Sequence, residues 1–162
     1  MIYRKSLIYH PKKEFEVVNL TPELEDLIKG LKLIDAKIDI QCKHTTAGLI
    51  VNEDEKGIIY DLENAVERLA PRSVYHRHDD FAVREVKQPD ERTNGPAHQM
   101  AILLLPETTV YVKDSKLDLG TYQSVMLVDL DGRKRKREVV LYCEEIGIVD
   151  LRRKRIKAPY SR

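Results

Sequence analysis

Gln41-Cys42-Lys43-His44-Thr45-Thr46-Ala47-Gly48-Leu49-Ile50-Val51-Asn52-Glu53-Asp54 completes the most regular alternation in the chain. Ile34, Ala36, Ile38, Ile40 and Cys42 take every second position, with Asp35, Lys37, Asp39, Gln41 and Lys43 between them, the period of a half-buried β-strand. Two places further in the same phase stands His44, at the rim of the apolar face. A lone histidine there is either a core residue bonded to a backbone carbonyl or a group with metal-ligand or acid–base work. Two hydroxyls, a tight passage through Ala47-Gly48 and a second strand over Leu49 to Asn52 follow it.

Working outward, Ile2 to Tyr9 and Glu14 to Val18 read as short strands joined by a turn at His10-Pro11-Lys12-Lys13. Thr21 reads as the N-cap of a helix with Pro22 at its first position, and Leu24, Leu27, Ile28 and Leu31 recur at helical spacing to about Leu33. A second helix spans about Lys56 to Leu69, its stripe being Ile58, Leu62, Ala65, Val66 and Leu69, with Pro71 as its stop. From Pro71 to Gly95 periodicity gives way to a polar stretch holding His76, His78, Asp79, Asp80, Asp90 and Glu91; a segment this long without pattern is usually functional or disordered. Asn94-Gly95-Pro96 restarts a short helix carrying His98. Strands over Thr108 to Lys113, Thr121 to Asp129 and Arg137 to Glu144 follow, the last two joined through Asp131-Gly132, a dipeptide favoured in tight hairpins. Strands in mostly hairpin-like order, interrupted by about three helices, predict an α+β single domain with an antiparallel sheet.

His44-Thr45-Thr46-Ala47-Gly48-Leu49, Asn52-Glu53, Asp61-Leu62-Glu63, Pro96-Ala97-His98 and Leu119-Gly120-Thr121-Tyr122-Gln123 together resemble, in order and spacing, the YjbQ (UPF0047-type) family, whose common label is secondary thiamine-phosphate synthase. The likeness covers about Met1 to Gly147, which makes 1–147 a YjbQ-like domain and 148–162 a basic C-terminal extension. The family usually has Trp where this chain has Tyr122, and the extension is not part of its pattern. The resemblance implies a β-sandwich-like fold assembled as a homotrimer. It also implies a metal-binding enzyme, with thiamine phosphate synthesis as the labelled reaction: a pyrimidine pyrophosphate joined to a thiazole phosphate with loss of pyrophosphate.

Open catalytic metal sites use three protein ligands and leave a position for water or substrate. His44 and His98 align with histidines of the family; His78 is the best match for the third, with His76 as a substitute, and His10 reads as a turn residue. His44, His78 and His98 are therefore expected to share one divalent ion, and three imidazoles favour zinc over magnesium or calcium. Water on such an ion has its pKa lowered toward neutrality. His44, Glu53 and Thr45 are the candidate catalytic residues. Thr45, Asn52, Glu53 and Asp79 are candidates to orient the imidazoles. Asp90 and Glu91 read either as acid–base groups or as loop carboxylates. Asn52, Gly120, Thr121, Tyr122 and Gln123 suit a small phosphorylated or heteroaromatic ligand, or else form a strand-entry turn with Tyr122 in the core. No phosphate loop, dinucleotide fingerprint or Gly-x-Ser-x-Gly occurs, so nucleotide hydrolysis, hydride transfer and serine hydrolysis have no support.

The chain has 162 residues, enough for one domain with a core, and 42% of them are hydrophobic. No apolar run approaches the length of a membrane span and the first residues lack a signal-peptide core, so a cytoplasmic protein that does not meet the membrane is expected. Cys42 and Cys143 fall on apolar strand faces and read as free core thiols. Charged residues make up 34% of the chain, yet the net charge is +1. From Arg133 onward there are 11 Lys and Arg against 4 Asp and Glu, so a basic end follows an acidic body. The runs Arg133-Lys134-Arg135-Lys136-Arg137 and Arg152-Arg153-Lys154-Arg155 make the alternative a non-catalytic module binding RNA or another acidic partner. A zinc-dependent hydrolase of a small phosphorylated substrate is the remaining alternative.

Overall fold

A computed structural model describes residues 1–86, 92–132 and 135–148. Asp90, Glu91, Arg133, Lys134 and residues 149–162, which include the second basic run, lie outside the described residues. The elements in order are β1 (Ile2–Tyr9), β2 (Glu16–Asn19), α1 (Thr21–Leu31), β3 (Ala36–Cys42), β4 (Ala47–Asn52) and α2 (Lys56–Leu69). A single 3-10 turn (Arg77–Asp79) leads to α3 (Gly95–Ala101), followed by β5 (Glu107–Lys113), β6 (Lys116–Leu117), β7 (Ser124–Asp129) and β8 (Arg137–Glu145). They form a small α+β domain in which every strand pair is antiparallel: a five-stranded sheet ordered β1-β8-β3-β5-β6 and a three-stranded sheet ordered β2-β7-β4.

The alternation around Ala36–Cys42 is realised without a break, buried and half-buried residues taking turns along β3. Ala36, Ile38, Ile40 and Cys42 meet Leu7, Val110, Val112, Val139, Leu141 and Cys143 from the same sheet, Leu49, Val125 and Leu127 from the smaller one, and Leu24, Leu27 and Ile28 from α1. A second cluster lies on the far side of the small sheet, where Val66 of α2 and Ala97 and Met100 of α3 pack with Phe15, Leu104, Val128 and Leu130. β7 is thus covered on both faces, which is why Val125 to Leu130 reads as a continuous apolar run broken only by Asp129. Gly48 has no side chain because Leu104 and the Leu105 carbonyl cross directly over β4. Both cysteines are buried and unbridged.

Two sequence expectations are corrected, the hairpin at Asp131-Gly132 and the cap at Thr21. Asp131-Gly132 does not make a hairpin, because β7 pairs with β2 and β4 while β8 pairs with β1 and β3 in the other sheet. The link crosses between the sheets, and Gly132 is required because the Lys13 carbonyl occupies the space a Cβ would take. Strand β6 was not expected; its hairpin turns through Asp114 and Ser115 at φ 51° and 62° without the glycine that normally announces such a turn. Thr21 is not the N-cap but the first helical residue: its amide donates to Asn19 Oδ1 (2.8 Å), and its hydroxyl accepts the Val125 amide (3.1 Å). Within the polar stretch after Pro71 a 3-10 turn spans Arg77–Asp79. Among the described residues no helix is long and apolar enough to cross a membrane.

Candidate functional site

His44 stands two residues past the end of the β3–β8 ladder, which closes at Cys42 opposite Val139. The Lys43 amide donates to the Glu138 carbonyl (3.2 Å), and the Glu138 amide donates to His44 Nε2 (2.7 Å), so the imidazole takes the place of a backbone acceptor. An accepting Nε2 puts the proton of the neutral ring on Nδ1. Burial first, and then the Arg137 guanidinium, hold the His44 pKa below the ordinary imidazole value, against the pull of Asp129 and Glu138. Thr45 is exposed, while Thr46 is buried and its hydroxyl accepts from Arg137 (3.0 Å). Arg137 in turn grips Asp129 through Nε (2.9 Å) and a terminal nitrogen (2.7 Å), a fully buried pair. Arg137 is thereby removed from the basic run expected to meet phosphates: it closes the crossing between the two sheets, and inside it Arg135 pairs with Asp131 (3.2 Å).

His76 and His78 have different surroundings. His76 has both ring nitrogens in use, Nε2 against the Pro71 carbonyl (2.8 Å) and Nδ1 against the Gln99 side-chain amide (2.8 Å). It fastens the 3-10 turn to α3. Asp79 strengthens that joint, its Oδ1 accepting the amides of Asn94 and Gly95 at 2.8 Å each. Next to this clamp, His78 meets His98 edge-on with ring centroids 4.7 Å apart. His78 Nε2 is buried and has no hydrogen-bond partner. Burial, and then the neighbouring His78, keep His98 below the usual imidazole range, with Arg84 and Arg135 acting the same way and Asp131 opposing. His98 is thus biased toward the neutral ring, the form that ligates metals or accepts protons.

The remaining candidates lie elsewhere. Asn52 and Glu53 are exposed, and the Asn52 side chain accepts the Glu53 amide (2.9 Å). Gly120, Thr121, Tyr122 and Gln123 form an exposed turn in which Gln123 Oε1 accepts the Gly120 amide (2.8 Å); Tyr122 is 73% exposed and not part of the core. In the β4–β7 ladder Asn52 faces Ser124 whereas Ala47 faces Asp129. Five residues of antiparallel strand, about 17 Å, therefore separate the Gly120–Gln123 turn from the His44 end. The two groups of candidate residues are therefore apart within one chain.

The three expected imidazoles do not close on one another. Among the described residues no three His, Cys, Asp or Glu side chains are grouped to hold an ion. His78 and His98 fit a metal, as their contact and the orphaned Nε2 show, whereas His44 has its Nε2 committed to the Glu138 amide and would have to leave it to ligate.

The sequence reading missed a cleft of about 450 Å³ beside α3, lined in part by Arg72, Arg92, Asn94 and Asp131, with Ala97, the neighbour of His98, in its floor. Arg72 gave no motif, since its role depends on distant partners: Glu67, Glu14 (3.9 Å) and the Leu130 carbonyl (3.4 Å). Asn94 was read only as a helix start, yet it is 6% exposed and its Nδ2 donates to Asp131 (3.2 Å).

Comparison with known proteins gives one family. The model described as UPF0047 protein YjbQ-like matches residues 5–145. A UPF0047 protein of Archaeoglobus fulgidus is 29% identical over 128 residues, covering 79% of this chain and 91% of its own. One from Methanocaldococcus jannaschii is 29% identical over 136 residues, 83% of this chain and 88% of its own. The crystal structure of a YbjQ-like protein of unknown function from Sulfolobus solfataricus superposes with a TM-score of 0.76 at 24% identity, covering 88% of this chain and 96% of that one. A hypothetical protein from Aeropyrum pernix gives the same TM-score of 0.76 at 22% identity, over 89% and 99%.

Proposed function

The chain belongs to the YjbQ-like UPF0047 family, and on that premise we propose that it is a metal-dependent enzyme whose ion is held by His78 and His98, acting as a hydrolase on a small phosphorylated substrate. The observation that carries this reading is the desolvated, unpartnered Nε2 of His78 at the edge of the His98 ring. Leaving such a nitrogen unpaired costs on the order of 1–3 kcal/mol, a cost a protein retains where the lone pair is used. A bound divalent ion of the zinc type would supply Lewis acidity toward a phosphoryl oxygen and water of lowered pKa.

The chain's own contribution is orientation and exclusion of water. His76, Gln99 and Asp79 hold the 3-10 turn on α3, which fixes His78 against His98. His98 is kept neutral by burial and by its cationic neighbours, so it can donate a lone pair or take a proton. Hydrolysis is favoured over the thiamine-phosphate synthase reaction because one bound substrate and water suffice for it, whereas condensation must seat two phosphorylated substrates together.

Elemental analysis of the purified full chain tests the reading. About one zinc-type ion per chain is expected, lost in His78→Ala and in His98→Ala while each variant keeps its far-ultraviolet circular dichroism. A folded native protein without stoichiometric metal after growth in zinc-supplemented medium counts against it.

A further inference from the structure

A hollow of about 470 Å³ lies between α1 and the β6 hairpin and takes in Gln123 from the turn before β7. That volume falls within the roughly 300–1,000 Å³ of small-molecule sites. Its floor is apolar: Ile28 is buried, and Leu117 and Leu119 are half-buried against the main core. Its rim carries both signs of charge. Thr21, Glu25 and Lys29 recur every four residues along α1, which puts them on one stripe, and Lys116 adds a second ammonium group from β6. A glutamate four residues before a lysine is the order that favours a pair on a helix, yet among the described residues neither Glu25 nor Lys29 nor Lys116 enters an ion pair.

Two uncharged donors complete the rim. Gln123 Oε1 accepts the Gly120 amide (2.8 Å), which leaves Nε2 as a donor with no partner among the described residues. The Thr21 hydroxyl accepts the Val125 amide (3.1 Å), so its own hydrogen remains available. The wall formed by β6 is held in a disfavoured shape: Asp114 and Ser115 turn at φ 51° and 62°, with their amides tied to Asp35 Oδ1 (3.2 Å) and to the Ile34 carbonyl (2.9 Å). Backbone strain of that kind collects where a ligand is clamped.

An anion alone would be drawn by Lys29 and Lys116 and repelled by Glu25, an amine alone would meet the reverse, and neither needs the aliphatic floor. A small molecule with an anionic end, a cationic end and an apolar body answers all three. We propose that this hollow binds an apolar α-amino acid as its zwitterion, the carboxylate toward Lys29, Lys116 and Gln123 Nε2, the ammonium toward Glu25, and the side chain on Ile28, Leu117 and Leu119. The site is separate from the histidine pair and does not rest on the metal reading.

L-Leucine is the probe, its branched side chain matching the aliphatic floor. Calorimetric titration of the full-length protein near pH 7 compares it with 4-methylpentanoate, which lacks the ammonium, and with 3-methylbutylamine, which lacks the carboxylate. Both analogues are expected to bind more weakly by about tenfold or more, the loss of one charge-assisted contact. Glu25→Gln should weaken leucine by a similar factor and leave 4-methylpentanoate unchanged, whereas Lys116→Gln should weaken both. The two residues are exposed, and melting curves establish that each variant is folded. No binding of leucine up to about 10 mM, leucine no tighter than 4-methylpentanoate, or an unchanged leucine affinity in Glu25→Gln overturns the assignment. His98→Ala should keep the leucine affinity of the native protein; its loss in that variant, folded, would move the ligand to the histidines and overturn the assignment as well.

Discussion

Two side chains in this fold do the work of backbone. His44 Nε2 receives the amide of Glu138 where the β3–β8 ladder runs out, and the Thr21 hydroxyl receives the amide of Val125 beside the β2–β7 ladder. Both residues were read from sequence for other duties, the histidine as a ligand and the threonine as a helix cap, because their acceptor lone pairs suit either and only the approach of a distant amide decides. Replacing His44 by Ala removes the acceptor and is expected to cost about 1–2 kcal/mol in urea unfolding, with His44→Gln recovering part of it. The pH dependence has a definite sign. His44 binds its proton less tightly folded than unfolded, so its contribution is complete above about pH 6.5 and drains away as the pH falls from there through the folded value. The urea midpoint of the native protein should therefore fall more steeply on acidification below about pH 6.5 than that of His44→Gln. Parallel profiles for the two proteins would remove His44 from this role.

Among the elements, long periodic ones were legible and short ones set by contacts were not. α2 begins and ends where its stripe and Pro71 place it, and β3 follows its alternation. β6 was invisible because two residues carry no period and its turn uses Asp114 and Ser115 in the left-handed region. That region costs a non-glycine residue about 1–2 kcal/mol. Ser115→Gly is expected to stabilise the protein by about 1 kcal/mol, less the entropy glycine adds to the unfolded chain, read as a raised urea midpoint at unchanged slope. A lowered midpoint would show that the Ser115 side chain outweighs the strain it carries. The link from β7 to β8 misled for a related reason: Asp-Gly signals a hairpin, but two nested ion pairs, Asp129 with Arg137 and Asp131 with Arg135, belong to a crossing between sheets.

For the whole molecule, the separation of the two groups of candidate residues has the most consequence. His44, His78 and His98 belong to one end of the small sheet and Asn52 with Gly120 to Gln123 to the other, so residues that the family motif joins in sequence are apart in one chain. Exposed apolar side chains include Ile102 at 81% just after α3 and Tyr122 at 73% in the turn. A second copy can bring one chain's turn to the other's histidines, and a ring closes when each copy does so in the same sense. Sedimentation equilibrium is expected to give three times the 18.8 kDa chain, and Tyr122→Asp to reduce the assembly. A monomer mass at working concentration would leave the two groups of residues separate.

The sequence by itself determined the fold class, the apolar faces of β3, α1 and α2, the reduced cysteines and the family, because each rests on local period or on motifs read in order. Only the tertiary structure decided which imidazoles meet: the sequence left His76 as a substitute for His78, and Pro71 with Gln99 takes up both nitrogens of His76 while His78 meets His98. It also decided that Arg137 is a buried counterion and not a surface cation, and that Arg72, Asn94 and Asp131 share a cleft. The physical reason is the same in each case: an ionisable side chain takes its role from the charge, hydrogen bond or burial supplied by a neighbour remote in the chain, and such neighbours leave no period to read.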